Sequence, residues 1–93
     1  LGELHLTAAE GTNDSDTAIT VDEQLMSMKN MFKYKVNASA ATAVTYGMDV
    51  KNWSKWDGKS EITAAKGNHV TIVECDRNYK AVRSGDVVSA AKE

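Results

Sequence analysis

The 93-residue sequence has no proline and only one cysteine, Cys75. A lone thiol excludes a disulfide within the chain, and with it the class of small secreted domains that depend on disulfides. A nucleophilic cysteine needs a neighbouring base, but neither His5 nor His69 stands in a motif that ties it to the thiol. We therefore expect Cys75 to be a buried structural residue.

The sequence also has no large excess of charge of one sign and no long apolar run. The 11 basic and 13 acidic residues are spread along the chain and give a net charge of −2. This balance offers no electrostatic footprint for nucleic acid or an anionic membrane. No stretch approaches the ~20 apolar residues of a membrane span, and no signal peptide is recognisable. We expect neither nucleic acid nor a membrane as a partner.

The motifs of known catalytic chemistry are absent as well. The sequence has no glycine-rich phosphate loop, no nucleophile elbow and no cysteine or histidine spacing suited to a metal. Glu61, Glu74 and Asp76 could meet in space as catalytic carboxylates. However, Glu74 and Asp76 alternate along a strand and are more simply explained as solvent-facing. We predict a protein that is not an enzyme and has no catalytic residue, cofactor or metal ion.

Short β-branched or alternating segments recur along the chain, separated by turn residues. The segment 69–75 is the strongest of them and is predicted to lie centrally in a sheet. Six or seven short strands at regular spacing predict an all-β fold. We expect residues 1–93 to form a single Ig-like β-sandwich domain, or a partly open barrel, of antiparallel strands. The predicted strands cover residues 3–8, 17–21, 31–36, 61–65, 69–75, 79–82 and 87–90.

The period of two along these strands predicts which residues form the core. Side chains two apart in a strand point to the same face of the sheet. On this basis Leu4, Leu6, Phe32, Val70 and Ile72 are predicted to share one core.

Aromatic and basic residues supply the candidate partner-binding site. Residues three apart in an extended segment point to opposite sides, so one of Trp53 and Trp56 should enter the core. Packing in the core or at a sheet edge is the favoured role of this aromatic cluster, with a partner contact as the alternative. We predict that Trp56 is the buried ring, because it abuts the turn into the next strand, which leaves Trp53, with Tyr46, as the better candidate for a partner contact. Lys33 and Lys35 share the strand face opposite the apolar residues. This face is predicted to be solvated, with a charged docking patch as the alternative.

Four segments carry a resemblance to a known family: residues 32–36, 46–49, 53–64 and 67–76. Their KYK, YG, W-x-x-W-D-G and I-T-A-x-x-G elements, with the following V-E-x-D, resemble a small β-rich module from structural proteins of tailed phages and prophages of Gram-positive bacteria. The resemblance implies an Ig-like, non-enzymatic virion protein, with capsid decoration favoured over a tail location. It further implies capsid or other virion proteins as partners and a location on the capsid surface. Oligomerisation would add avidity.

The alternative is a bacterial cell-surface or carbohydrate-binding module. Flat aromatic rings give a large contact area at low entropic cost, so they suit both sugar rings and protein partners. Under this alternative Trp53, Trp56 and Tyr46 form the binding surface, and the protein is extracellular or attached to the cell surface.

Overall fold

The computed structural model describes all 93 residues, which form eight β-strands and no helix. The strands are Gly2–Glu3 (β1), Leu6–Glu10 (β2), Asp16–Val21 (β3), Met31–Asn37 (β4), Ser54–Trp56 (β5), Ile62–Thr63 (β6), His69–Cys75 (β7) and Ala81–Val88 (β8). They form a large sheet in the order β1-β8-β7-β4-β5 and a small sheet in the order β2-β3-β6. The predicted all-β, Ig-like sandwich is confirmed. It has eight strands rather than six or seven, and β1 runs parallel to β8.

No helix has the length and apolar character that a membrane crossing requires.

The central strand of the large sheet is β7, as the sequence predicts. It pairs with β4 on one side and with β8 on the other. Val70 and Ile72 face the small sheet, whereas Val73 and Cys75 face the opposite way. Every residue from Val70 to Cys75 is 2% exposed or less. A strand buried on both faces reads as a nearly continuous apolar run, which is why this segment is the clearest strand in the sequence.

The inner core fills the space between the two sheets. The predicted core is confirmed, with Leu6 partly buried at its margin. Trp56 is also buried as predicted, at 7% exposure, and its ring packs on Phe32 with 5.6 Å between centroids. Its indole N–H donates to the carbonyl of Ser60 at 2.8 Å. The buried members are Leu4, Ile19, Phe32, Trp56, Ile62, Ala64, Val70 and Ile72.

The segment that joins β4 to β5, residues 38–53, crosses the outer face of the large sheet, and we call it the cover segment. Its Val50 packs with Val73, Cys75 and Ala81 in a second apolar cluster whose members are fully buried. The prediction that Cys75 is buried is therefore confirmed. Burial also raises the pKa of its thiol, because the charged thiolate is disfavoured away from water.

Lys33 lies beneath the cover segment. Its Nζ donates to the carbonyl oxygens of Lys51, at 3.0 Å, and Trp53, at 3.2 Å, and lies 4.9 Å from the ring centroid of Tyr79. The side chain is on the predicted face of the strand, but the residue is only 5% exposed. The prediction of a solvated face is wrong for Lys33, because the cover segment closes over it. Lys35 remains exposed.

Two predicted boundaries are also wrong. The predicted strand at residues 3–8 is interrupted at Leu4 and His5, so β1 joins the large sheet and β2 the small one. The separate strands predicted at residues 79–82 and 87–90 are one strand, because β8 runs without a break from Ala81 to Val88. A Cβ atom at Gly85 would collide with the carbonyl of Leu4. Glycine at this position therefore lets the backbone at Leu4 pass close to β8, and it does not form a turn.

The loop between β3 and β4, residues 22–30, closes one end of the sandwich, and we call it the end loop. It has no helix. Glu74 fixes it in place: the carboxylate accepts hydrogen bonds from the backbone N–H of Met26 at 2.7 Å and from the side chain of Asn30 at 2.8 Å. Arg83 Nε donates to the same carboxylate at 2.7 Å. The prediction that Glu74 faces solvent is wrong, because it lies on the inner face of β7 and is fully buried.

A second contact ties the end loop to the chain between β1 and β2. The backbone N–H of His5 donates to one oxygen of Glu23 at 2.7 Å, and the ring Nδ1 lies 2.6 Å from the other oxygen. The hydrogen bond and charge of Glu23 raise the pKa of His5. Hydrogen bonds from the backbone N–H and ring of His5 lower the pKa of Glu23. The contact is on the surface, since the His5 side chain is 62% exposed.

Replacing Ile72 by alanine tests the assignment of the inner core. The substitution empties a fully buried aliphatic site, so we expect the free energy of unfolding to fall by about 2–5 kcal/mol. Val88→Ala, at a residue 49% exposed on the neighbouring strand, is the matched control and should change it by less than about 0.5 kcal/mol. Urea unfolding followed by tryptophan fluorescence measures both, and equal small losses would contradict the assignment.

Replacing Glu74 by glutamine tests the support of the end loop. The variant keeps the shape of the side chain but leaves the guanidinium of Arg83, 15% exposed, without its negative partner. Breaking a buried ion pair in this way is expected to cost about 3–5 kcal/mol of stability. Glu10→Gln, at an exposed carboxylate, is the control. If the two variants unfold at the same urea concentration, the carboxylate does not support the loop.

The contact between His5 and Glu23 predicts a dependence of stability on pH. Because the folded pKa of His5 is raised, its contribution is complete below its ordinary value of 6.5 and is lost as the pH rises through the folded value. The lowered pKa of Glu23 gives a contribution that is present above 4.5 and is lost as the pH falls through its folded value. We therefore expect the melting temperature to fall between about pH 6 and pH 8.

The control for this prediction is His5→Gln, which should show a smaller fall over the same range. The effect should also shrink in high salt, because the pair is exposed to solvent. An unchanged slope in His5→Gln would assign the pH dependence to another group.

A candidate binding groove at the open edge of the large sheet

The large sheet has an uncovered edge where β5 is too short to complete it. Three residues of β5 pair with Phe32, Lys33 and Tyr34, the second to fourth residues of β4. In contrast, β7 pairs with β4 as far as Asn37. The last part of β4, from Lys35 onward, therefore has a partner strand on one side only. Such an edge has backbone groups available to another extended chain.

An open groove lies beside this edge. One wall comes from β4 and the other from the last residues of the cover segment. The lining combines aromatic rings with ammonium, amide and carboxylate groups. The residues that decide its chemistry are Tyr34 and Lys35 from β4, and Asp49, Lys51, Asn52 and Trp53 from the cover segment.

Trp53 is the main aromatic side chain of the groove, and the structure holds it in place. Its backbone N–H donates to the carbonyl of Val50 at 3.0 Å, and its own carbonyl accepts a hydrogen bond from the buried Lys33. The residue is half-buried and packs against the second apolar cluster. Lys35 Nζ lies 5.8 Å from the centroid of its ring, within the range of a cation–π contact. A ring held in this way loses little entropy when a partner binds.

Asp49 contributes a negative charge next to these basic groups. It accepts a hydrogen bond from the backbone N–H of Lys51 at 2.8 Å and lies 3.4 Å from Lys80 Nζ. The hydrogen bond from Lys51 and the charge of Lys80 lower the pKa of its carboxyl. The groove therefore has both charge signs, and it suits a mixed polar and aromatic contact better than a purely apolar one.

The three carboxylates considered for catalysis do not meet. Glu61 accepts hydrogen bonds from the backbone and hydroxyl of Thr12, both at 2.7 Å. Glu74 is buried against Arg83, and Asp76 accepts hydrogen bonds from backbone N–H groups of the turn that follows it. No group of three or more histidine, cysteine, aspartate or glutamate side chains is arranged to hold a metal ion. The groove offers binding chemistry and no pairing of a nucleophile with a base.

The predicted partner-binding residues do not form one site. Trp53 and Lys35 meet in the groove. Tyr46 is 70% exposed but lies elsewhere, beside Gly47, whose N–H donates to the carbonyl of Ala81 at 2.8 Å. Lys33 is buried, so it has no surface to offer a partner.

Sequence reasoning missed the contributions of Tyr34 and Asn52 to the groove. The alternation of β4 places Tyr34 on the inner face, and it does pack at the margin of the inner core. It reaches the groove as well because β5 leaves the edge of the sheet open. No local signal in the sequence indicates where β5 begins.

Comparison with known proteins gives two findings. The family described as S-layer protein SbsC C-terminal domain matches residues 9–87. The solved structure of surface layer protein SbsC, domains 4–9, matches 97% of the chain with a TM-score of 0.67 and 18% identity. At that identity the structural likeness shows the fold alone. The chain covers only 16% of that structure. No curated protein is significantly similar to the chain.

These findings overturn the resemblance to phage structural proteins. The family match covers most of the chain and names a bacterial surface-layer protein, so a location on a capsid and partners in a virion are wrong. The alternative of a bacterial cell-surface module agrees better with both comparisons. The motifs that suggested a phage module are strand and turn elements that any Ig-like sandwich can use. The chain belongs to the family of the S-layer protein SbsC C-terminal domain.

Proposed function

We propose that residues 1–93 form one non-enzymatic structural domain of a bacterial surface layer, located outside the cell, where it assembles with further copies of itself. The family match over residues 9–87 carries this proposal. A surface layer repeats the same contact many times, so a domain with a modest affinity at each contact can still be held firmly. Such a role needs stable surfaces and no active site.

The side chains support the absence of catalysis. The only thiol, Cys75, is buried, and its pKa is raised rather than lowered as a nucleophile would require. His69 Nδ1 lies 2.7 Å from Asp86, which also accepts a hydrogen bond from Thr71. That Thr71 hydroxyl is itself buried and accepts a hydrogen bond from the backbone N–H of Thr42 in the cover segment. The arrangement fastens the cover segment to β7, and the Thr71 hydroxyl is not free to attack a substrate.

We assign the groove around Trp53 to the contact between copies. The open edge of β4 can pair with an extended segment of a neighbouring copy, and main-chain hydrogen bonds of this kind supply affinity. Trp53 and Lys35 beside that edge supply the aromatic and basic anchors that dominate many protein interfaces. The additional negative charge of Asp49 restricts the register in which a charged partner can dock.

A second candidate function is the binding of a cell-wall glycan in the same groove. The observation that favours it is the half-exposed ring of Trp53 next to the hydrogen-bonding side chains of Asn52 and Asp49. A flat ring stacks on a sugar, while neighbouring amide and carboxylate groups bind its hydroxyls.

Alanine substitutions of the two tryptophans separate folding from contact. Trp56→Ala empties a core site and should lower the free energy of unfolding by about 3–5 kcal/mol. Trp53→Ala should cost distinctly less, because its side chain lies at the margin of the second cluster. It should nevertheless weaken self-association, measured by sedimentation velocity over a range of protein concentrations. Lys59→Ala, at an exposed residue outside the groove, is the control for assembly.

The same variants distinguish the two candidate functions. If wild type and Trp53→Ala sediment identically as monomers at every concentration, the groove is not a contact between copies. Cell-wall glycan fragments are then titrated while tryptophan fluorescence is recorded. A saturable shift in wild type that Trp53→Ala lacks would support the second candidate. Equally large losses of stability in both tryptophan variants would contradict the assignment of Trp53 to a surface.

A further inference from the structure

The exposed large hydrophobic residues are concentrated at one end of the sandwich. There are five such residues, and four of them lie at the end of the sandwich where β8 begins. Met28 is fully exposed, at 101%, and Tyr46, Met26 and Leu1 are exposed by 70%, 66% and 53%. Val88, at 49%, is the exception and lies at the other end of β8. A concentration of exposed apolar side chains marks a contact surface more often than scattered ones do.

Three separate parts of the chain bring these side chains to the same end. Leu1 precedes the residue of β1 that pairs with Arg83. The end loop, which carries Met26 and Met28, accepts a hydrogen bond from Arg83 at 2.6 Å. The turn that contains Tyr46 is bonded to the carbonyl of Ala81. We call this surface, formed by Leu1, Met26, Met28 and Tyr46, the apolar end.

Buried contacts fix the backbone of the end loop that carries the methionines of the apolar end. The buried carboxylate of Glu74 binds the backbone of Met26 and the side chain of Asn30, and Leu25 packs against the inner core. The methionines therefore stand on a fixed backbone, while their unbranched side chains can adapt to a partner surface. A fixed backbone lowers the ordering cost of binding.

The direction of the chain identifies the occupant. Strand β1 begins at the apolar end, so a domain joined ahead of β1 would meet this surface. The last residues lie at the opposite end, where the N–H of Ser89 donates to the carbonyl of Asn68 at 2.7 Å and Lys92 pairs with Asp14. The solved surface-layer protein has several domains, and this chain spans 16% of it, the share expected for one of six similar domains.

We propose that the apolar end is an interdomain docking surface for a preceding domain of the same fold. That domain is seated by its C-terminal end, so that successive domains stack head to tail, and its residue corresponding to Val88 packs against the methionines. Contacts through part of the surface are usual between neighbouring domains of one chain. The inference rests on the proposed role as a surface-layer domain, but it uses a surface different from the groove around Trp53.

Methionine oxidation in a tandem protein tests this stacking. Two copies of the full 93-residue chain are joined directly, treated with hydrogen peroxide and digested, and the sulfoxide of each methionine is quantified by mass spectrometry. Isotope labelling of one copy by segmental ligation distinguishes the two. Oxidation of methionine follows its exposure, so Met26 and Met28 of the second copy should react about fivefold or more slowly than those of the first. Equal rates in both copies would overturn the proposal.

Two variants keep this test independent of folding and of the groove. Val88→Asp in the first copy alone should abolish the protection in the second, although Val88 is exposed and its loss should not unfold the domain. Trp53→Ala in both copies should leave the protection unchanged, so a failure of the proposed contact between copies would not affect this result. Loss of protection with Trp53→Ala would mean that the groove, and not stacking, shields the methionines.

The single chain provides the remaining control. At low and high concentration its Met28 should oxidise at the same rate, because stacking requires a covalently joined neighbour to raise the effective concentration. Protection that grows with the concentration of the single chain would show that apolar ends pair with each other. That outcome would overturn the head-to-tail arrangement.

Discussion

The strand β7 is buried on both of its faces, and the arrangement of the other elements follows from that constraint. A single pair of sheets can cover only one face of each sheet. The small sheet covers the side that carries Val70 and Ile72, while the cover segment protects Val73 and Cys75 on the other side. Irregular backbone laid over an apolar face needs partners for its own polar groups. Buried polar side chains provide those hydrogen-bond partners.

Lys33 and Glu74 perform this task on opposite faces of the large sheet. Lys33 donates to two carbonyl groups of the cover segment, and Glu74 accepts from an N–H group of the end loop. Each charge is matched to the kind of backbone group it must satisfy. A buried charge lowers the stability of the fold unless it is fully hydrogen-bonded. These two residues therefore fix the position of the two segments as much as they stabilise the fold. The groove lies beside the cover segment that Lys33 holds, and the methionines of the apolar end lie on the end loop that Glu74 holds.

The part of this arrangement that depends on local alternation could be predicted from the sequence. Period two was enough to place Phe32 and Ile72 in the inner core, and the neighbouring turn was enough to place Trp56 there. The burial of Lys33 and Glu74 could not be predicted, because it depends on loops that are distant in sequence and lack any periodic pattern. The groove was equally inaccessible, since it exists only where β5 stops short. Family membership was misjudged because Ig-like strand and turn motifs recur in unrelated structural proteins.

The parallel pairing of β1 with β8 has a mechanical consequence. The amino terminus leaves the sandwich at one end, and the chain that follows β8 runs to the other. A pull on the two ends therefore slides β1 and β8 past each other along their length. Hydrogen bonds loaded in shear share the force and must break together, whereas bonds at the end of a peeled hairpin break one at a time. The way Gly85 lets the chain at Leu4 pass close over β8 adds a steric obstacle to that sliding. A load applied between the two ends of the chain therefore meets the more resistant direction of this domain.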